Sequence, residues 1–176
     1  MQDMNEISIW PNSNYFLYAG LKAIDDLCFD VDLKKDYIFV DFSSSNLRYF
    51  TNSTWIEILK NTDMKIILIC DSIIEPLAEY WRIREKRIFS VIYADYKINK
   101  IMDILTLSKY YSSIPCHRKT KRLEKKEVSH IDLSIRGLSP IMISKALNIP
   151  VKQVYNLKQT IKRKLKKDIN KIMLSH

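Results

Sequence analysis

Three short apolar runs, separated by helical patterns, constrain the fold of this chain more than any other feature. They are YIFVDF at residues 37–42, KIILIC at 65–70 and IFSVIY at 88–93. Each run is apolar almost throughout and rich in β-branched residues, which is typical of strands buried on both faces. Between and after the runs, apolar residues recur with a helical period. This alternation predicts an α/β fold with a parallel sheet covered by helices on both faces.

Length and composition limit the class of protein. With 176 residues, 47% of them hydrophobic, the chain can bury one medium core and a small satellite. The start MQDMNEIS has no signal-peptide pattern, and no apolar run reaches the roughly 18 residues that cross a bilayer. Cys28, Cys70 and Cys116 are widely spaced, so buried reduced thiols are predicted rather than metal ligands. These observations predict a cytoplasmic protein.

The charge is divided unevenly along the chain. Residues 1–111 carry 13 Lys and Arg against 16 Asp and Glu, a net charge of −3, whereas residues 112–176 carry 16 against 4, a net charge of +12. A merely solvated surface does not require such segregation. A basic segment beside an acidic one indicates nucleic acid or an anionic membrane surface as a partner.

The composition shift predicts the domain boundaries. SSIPCHRKTKRLEKKE, at residues 112–127, is charged and lacks an apolar period. The predicted organisation is an α/β domain at residues 1–111, a basic linker at 112–122 and a small all-α domain at 123–176.

Capping residues divide the C-terminal segment GLSPIMISKALNIPVKQVYNLKQTIKRKL, residues 137–165, into helices. Gly137 is placed to end the preceding helix in a left-handed conformation. Ser139 and Pro140 suit the N-cap and first position of a second helix. Pro150 disfavours a helical Ile149, so a third helix is predicted from Val151. Three helices joined by two tight turns predict a helix-turn-helix.

The third helix divides into an apolar and a polar face at about 100° per residue. The predicted buried stripe consists of Val154, Leu157, Ile161 and Leu165. The opposite face carries Lys152, Tyr155, Asn156, Gln159 and Arg163. Tyr, Asn and Gln can contact base edges, and Lys and Arg can neutralise phosphates. A membrane-surface helix would favour Trp or Phe on its apolar side, so the turn and the polar face favour DNA over a membrane.

These C-terminal residues resemble the DNA-binding domain of LuxR/FixJ-type transcription regulators. The N-terminal segments IWPNSNYFLYAGL, DYIFVDF, LAEYW and VIYADY are similar to those of the common-pilus (Mat fimbria) regulators of enteric bacteria. The resemblance implies a receiver-like, flavodoxin-like first domain followed by a LuxR-type helix-turn-helix. It also implies a double-stranded DNA partner, a homodimer or a heterodimer with a related regulator, and fimbrial or other surface-structure genes as targets, here predicted to be activated.

Positions that match the family motif predict the DNA contacts. The resemblance assigns base reading to Tyr155, Asn156 and Gln159. It places phosphate contacts on Lys152, Gln153, Lys158 and Arg163, and Lys162 completes the predicted set of DNA-binding residues. The sequence departs from the family at three positions, because Leu157 replaces a frequent His, Pro150 replaces a Ser or Thr cap, and His130 replaces an aliphatic residue. Only DINKIMLSH follows Lys167, which makes dimerisation through a fourth helix doubtful.

The first domain lacks most residues of a phosphorylatable receiver. Asp41 ends its strand where a phosphoacceptor would lie, and Ser72 could supply a hydroxyl. However, ISIWP contains no acidic pair to hold Mg²⁺, and Ala94-Asp95 stands where a lysine would be needed. The sequence therefore predicts a pseudo-receiver that acts without phosphorylation, with a phosphorylatable response regulator as the less favoured alternative.

Other chemistry is not indicated by the sequence. It contains no glycine-rich phosphate loop and no H-E-x-x-H or G-x-S-x-G motif, so no enzyme activity, cofactor, metal or small-molecule ligand is predicted. Tyr80 and Trp81, with nearby arginines, are predicted to form a surface for a partner. The predicted function is a sequence-specific transcription regulator. The alternative is an accessory regulator that binds DNA only with a second LuxR-type partner.

Overall fold

The computed structural model describes residues 6–11, 14–27, 32–61, 63–107, 110–111, 114 and 121–174. Four parallel strands form a sheet in the order β1-β2-β3-β4 within these residues. The strands are β1 (Ser8–Trp10), β2 (Tyr37–Phe42), β3 (Lys65–Cys70) and β4 (Ile88–Tyr93). The predicted parallel sheet is therefore confirmed, and the three apolar runs are strands with the predicted bounds. For the described strands, the order is a flavodoxin-like order without its second strand.

Helices cover both faces of the sheet, as predicted. Alternate residues of β2 point to opposite sides, so that Val40 and Phe42 join one apolar cluster and Tyr37 and Phe39 the other. Two helices lie on the side of Phe39: α1 (Tyr15–Asp25) and α5 (Ile98–Leu107). Two more lie on the side of Val40: α3 (Thr54–Ile58) and α4 (Glu75–Arg84).

Short helical segments complete the sheet unit, by which we mean β1 to α5. The short helix α2 (Leu33–Asp36) precedes β2. Between β2 and β3 the chain forms a 3₁₀ helix at Ser44–Tyr49, then α3, then a 3₁₀ turn at Leu59–Asn61. Cys70 is buried and forms no disulfide within the described part of the chain, as predicted for a reduced thiol, whereas Cys28 and Cys116 lie outside the described residues.

The C-terminal helices are α6 (Lys125–Ile135), α7 (Pro140–Leu147), α8 (Val151–Leu165) and the short α9 (Ile169–Met173). As predicted, α6 ends just before Gly137, and α7 and α8 begin at Pro140 and Val151. Between them, Ile143, Ile149 and Val154 form a small apolar cluster of their own. Among the described residues, no helix is both long and apolar enough to span a membrane.

One apolar cluster joins the C-terminal helices to the sheet unit. Leu123, α6, α8 and α9 contribute side chains to the cluster that covers the Val40 side of the sheet. Their buried members are Leu123, Val128, Ile131, Ile161, Leu165, Ile169 and Ile172. Most of the predicted linker lies outside the described residues, but Ile114 within it packs against the other face, and its N–H donates to the Phe89 carbonyl at 3.0 Å. The predicted division into two domains stays a prediction.

Candidate nucleic-acid interface

Local capping fixes where α6 ends and α7 begins. At the start of α6, Glu124 and Glu127 form a reciprocal capping box. Gly137 follows the helix with φ 80°, the left-handed conformation predicted from its position. The Ser139 hydroxyl then accepts a hydrogen bond from the Met142 N–H at 3.4 Å, so Ser139 is the N-cap of α7 as predicted. These caps satisfy backbone groups that the helix ends would otherwise leave unpaired.

A tight turn sets the direction of α8. Asn148 adopts the left-handed conformation with φ 50°, and the Ile149 N–H donates to the Ser144 carbonyl at 3.0 Å. The Ser144 hydroxyl returns a hydrogen bond of 2.6 Å to the Ile149 carbonyl. Pro150 is the N-cap of α8 and provides no side-chain hydrogen bond, which confirms the expected loss of a Ser or Thr cap. The side-chain hydrogen bond that supports the turn therefore comes from α7 rather than from the cap of α8.

The two faces of α8 differ as predicted. Val154, Ile161 and Leu165 are buried, while Leu157 is half-buried. On the opposite face Tyr155 is 54% exposed, and Asn156 and Gln159 are exposed beside it. Four further residues of the predicted DNA-binding set are also exposed: Lys152, Gln153, Lys162 and Arg163. This arrangement leaves hydrogen-bonding and cationic groups facing solvent along one side of a single helix.

Lys158 differs from the rest of the predicted set. It is half-buried and lines a cavity of about 190 Å³ between α6, α7, α8 and α9. His130, which is 2% exposed, lies in the same cavity, and its Nδ1 is 3.2 Å from the Ser134 hydroxyl. Burial lowers the pKa of His130, and the positive charge of Lys158 lowers this pKa further. Lys158 is thus less accessible to a DNA phosphate than Lys152.

Asp41 has a structural partner in the sheet unit. Asp41 is 6% exposed, and its carboxylate accepts a hydrogen bond of 2.9 Å from the side-chain amide of Asn14, the N-cap of α1. Asp71 accepts hydrogen bonds from the N–H groups of Ser44 and Ile73 at 2.6 and 2.9 Å. The described residues contain no cluster of three or more His, Cys, Asp or Glu side chains suited to a metal ion. In this structure both carboxylates hold loops at the ends of strands.

The predicted partner surface on α4 is wrong for the two aromatic residues. Tyr80 and Trp81 are 8% and 7% exposed, because the C-terminal helices pack against them within the same chain. The Trp81 indole N–H donates to the Phe50 carbonyl at 2.7 Å. Their apolar surface is consequently used inside the chain rather than offered to a partner.

Sequence reasoning missed the polar contacts that hold α6 and α8 in place. Lys164 forms an ion pair of 2.7 Å with Glu127 and donates to the Arg122 carbonyl at 3.0 Å. The Leu123 N–H donates to the Pro76 carbonyl at the start of α4, also at 3.0 Å. No local signal could have revealed these contacts, because their partners are 37 to 47 positions apart.

Comparison with known proteins identifies the family. A sequence model of the EcpR N-terminal domain matches residues 2–108. The uncharacterized protein YqeH of Escherichia coli (strain K12) is 31% identical over 170 residues, which cover 94% of this chain and 79% of YqeH. Among solved structures, RcsB from Salmonella enterica serovar Typhimurium, bound to promoter rprA in the presence of BeF3-, aligns with a TM-score of 0.42 and 16% identity, covering 98% of this chain and 100% of RcsB. The match to the family model, which covers more than half of the sequence, shows that the chain belongs to the EcpR N-terminal domain family.

Proposed function

We propose that this protein is a transcription regulator that binds specific double-stranded DNA sequences through α8. The observation that carries the proposal is the exposed face of Tyr155, Asn156 and Gln159, flanked by cationic side chains and backed by a buried apolar stripe. A helix of this kind fits the major groove, where amide side chains pair with adenine and cations contact phosphates. Membership of the EcpR N-terminal domain family supports the regulatory role.

The proposed regulator acts in the cytoplasm and without phosphorylation. Asp41 is buried and engaged by Asn14, and no acidic side chain precedes it on β1 to help bind Mg²⁺. Receiver-type control through a phosphoaspartate would require these groups to reorganise. The expected result is therefore equal DNA affinity before and after treatment with a small-molecule phosphodonor and Mg²⁺. Stoichiometric labelling of Asp41 would instead favour the phosphorylatable alternative.

Fimbrial or other surface-structure genes are the proposed targets, and activation is the proposed effect. Support comes from the N-terminal segments that resemble common-pilus regulators, which lie within the part of the chain matched by the EcpR N-terminal domain. Transcript profiling of cells with and without the protein tests both points. The proposal predicts that surface-structure operons decrease when the gene is deleted.

A second candidate function is that of an accessory regulator that needs a related partner to bind DNA. One observation favours it: Ile169 and Ile172 of α9 are buried within the chain, so this helix offers those side chains to no second copy. The α4 aromatics are buried as well, and a homodimer would have to use another surface.

Fluorescence anisotropy on the protein's own upstream DNA, at several salt concentrations, separates the two candidates. The main proposal predicts specific binding by the purified protein, with an affinity that falls steeply as salt increases. Binding that requires a second LuxR-type regulator would establish the accessory function. The absence of any salt-dependent binding, alone or with a partner, would contradict both.

A further inference from the structure

A basic cleft lies where α8 approaches the sheet unit. It has a volume of about 390 Å³ and is open to solvent. One wall consists of the loop after β3 and the start of α4, and the other wall consists of the C-terminal half of α8. The lining residues are Ser72, Glu75, Pro76, Lys121, Thr160, Arg163, Lys164 and Lys166. We call this feature the basic cleft.

The basic cleft has an excess of positive charge. Four of its lining residues are Lys or Arg, and Glu75 is its one acidic member among the described residues. Lys164 is already paired with Glu127 and is only 14% exposed. Lys121, Arg163 and Lys166 are exposed, and the Arg163 guanidinium donates a hydrogen bond of 3.0 Å to the Thr160 hydroxyl. Three accessible cations around one cavity favour an anionic ligand.

The position of the basic cleft points to the kind of anion. On α8, Arg163 lies two turns after Asn156 and about 20° from it around the axis, so both belong to one face. The distance along the helix is about 10 Å, similar to the roughly 12 Å width of the major groove. A duplex that seats its major groove on Asn156 therefore brings a phosphate strand alongside this end of α8.

The walls of the cleft also favour a backbone phosphate over an enclosed small molecule. Pro76 is the one apolar side chain in the lining among the described residues, and no aromatic ring faces the space. Small-molecule sites are mostly apolar and enclose their ligand, whereas phosphate contacts on DNA are made by exposed Lys, Arg and Ser side chains. The Ser72 hydroxyl and the Lys121 ammonium match the latter chemistry.

We infer that the basic cleft holds a phosphate group of the DNA backbone beside α8, with Lys121 and Ser72 as contacts in addition to Arg163. The inference rests on the proposed function, because α8 must first bind the duplex. It extends that function to the sheet unit, which supplies Ser72 and thereby contacts DNA directly. The shared apolar cluster keeps the two walls of the cleft together.

Salt-dependent anisotropy on a mixed-sequence duplex of roughly 30 base pairs tests the inference. Lys121→Ala removes one phosphate contact, so the slope of log affinity against log salt should flatten by about 0.9, and the affinity at about 100 mM salt should fall roughly five- to tenfold. Ser72→Asp, which adds a negative charge to the rim, should weaken binding to every duplex at least as much. The matched control is Lys86→Ala, because Lys86 is exposed beyond the other end of α4. This control should change affinity less than about twofold.

Lys152 lies in the first turn of α8, at the opposite end of the helix from the basic cleft. The variant Lys152→Ala therefore distinguishes failure of this inference from failure of the proposed function. If Lys152→Ala flattens the salt dependence while Lys121→Ala and Ser72→Asp both behave like Lys86→Ala, the inference is overturned and α8 still binds DNA. If the wild-type protein shows no salt-dependent binding, the proposed function fails and the inference falls with it. Far-ultraviolet circular dichroism of each variant checks that the fold is retained.

A phosphate group in the basic cleft could come from a small free ligand instead of the DNA backbone. Thermal melting with inorganic phosphate, in the absence of DNA, measures whether the cleft binds it alone. A phosphate-dependent rise in Tm that disappears in Lys121→Ala, together with an unchanged salt slope on DNA, would overturn the inference in favour of a small phosphorylated ligand. Loss of the DNA contact in Lys121→Ala, without a specific phosphate effect on Tm, supports it.

Discussion

The Thr51 hydroxyl donates a hydrogen bond of 2.7 Å to the Asp132 carboxylate, joining the sheet unit to α6 across 81 positions of sequence. Thr51 is buried, and Asp132 also accepts a salt bridge of 2.9 Å from Arg136 on its own helix. This polar contact and the apolar cluster shared by the two parts of the chain lie at the same interface. The sheet unit and the C-terminal helices should consequently unfold together rather than in two steps.

Replacing Thr51 by Val should destabilise the whole chain. The substitution keeps the β-branched shape but removes the 2.7 Å hydrogen bond to the Asp132 carboxylate, which keeps Asn52 and Arg136 as partners. Loss of a hydrogen bond to a charged group costs about 1–3 kcal/mol. The free energy of unfolding in urea, followed by fluorescence and by circular dichroism, measures the loss. Thr54→Val is the matched control because Thr54 is exposed at the start of α3, and it should cost less than about 0.5 kcal/mol. Non-coincident transitions by the two probes would contradict a single cooperative unit.

Removing the lysine of the Glu127–Lys164 ion pair should lower the free energy of unfolding more than removing the lysine of an exposed ion pair. Side-chain exposure is 14% for Lys164 and 4% for Glu127, so Lys164→Met leaves a buried carboxylate without its ion partner. Loss of one partner from a buried pair costs about 3–5 kcal/mol. The control is Lys60→Met, whose partner Glu57 is 57% exposed, and its expected cost is below about 1 kcal/mol. Urea titrations of the two variants give the comparison, and equal losses would show that Glu127 is solvated.

The two glycines of the chain should respond in opposite directions to alanine. Gly137 has φ 80°, a conformation that alanine tolerates poorly, so Gly137→Ala should lower stability by about 1 kcal/mol or more. Gly20 lies within α1 with no atom near the position of an added Cβ, so Gly20→Ala should raise stability by about 0.4–1 kcal/mol. Tm measurements on both variants test the signs. A stabilising Gly137→Ala would mean that α6 does not end there.

Much of the fold could be predicted because its signals are local. The strands are continuous apolar runs, and the turns around α7 depend on Gly137, Ser139 and Pro150, each acting within a few residues. The docking of α6 and α8 onto α4 could not be predicted, since helical periodicity identifies an apolar stripe but not what covers it. That limit explains why the sequence predicts a partner surface at Tyr80 and Trp81, although their own chain buries them.

The same limit applies to the candidate site. The angular position of a side chain on α8 separates Asn156 from Val154, and the structure agrees with that separation. Lys158 lies at the border between the apolar and the polar face of α8. At such a position the helical period does not predict whether a neighbouring helix covers the side chain. The cavity next to His130 depends on where α9 packs, which the sequence of five helical residues does not specify.

Burial of His130 should make stability depend on pH. Burial holds the pKa of His130 in the folded protein below the ordinary value of about 6.5 that it has in the unfolded chain. Between the folded and the unfolded pKa, the unfolded chain therefore binds more protons than the folded protein. The stabilisation is complete above the unfolded pKa and is lost as pH falls towards the folded pKa. Urea titrations across this window should show a smaller pH dependence for His130→Gln. The same comparison made in the background His117→Gln, His176→Gln, which removes the other two histidines of the chain, isolates the contribution of His130.

Two variants of α8 should distinguish the reading of DNA bases from contact with the DNA backbone. In the proposed interface the exposed Asn156 contacts a base edge, so Asn156→Ala should weaken binding to the preferred site by about 1–3 kcal/mol and leave binding to unrelated duplexes nearly unchanged. In the same proposed interface the exposed Lys152 contacts a phosphate, so Lys152→Ala should weaken binding to all duplexes alike and reduce the salt slope by about 1. Competition anisotropy with the preferred site and a scrambled duplex measures both ratios. Equal losses on every sequence for both variants would show that Asn156 reads no base, because a residue that reads a base must change the ratio between the two duplexes.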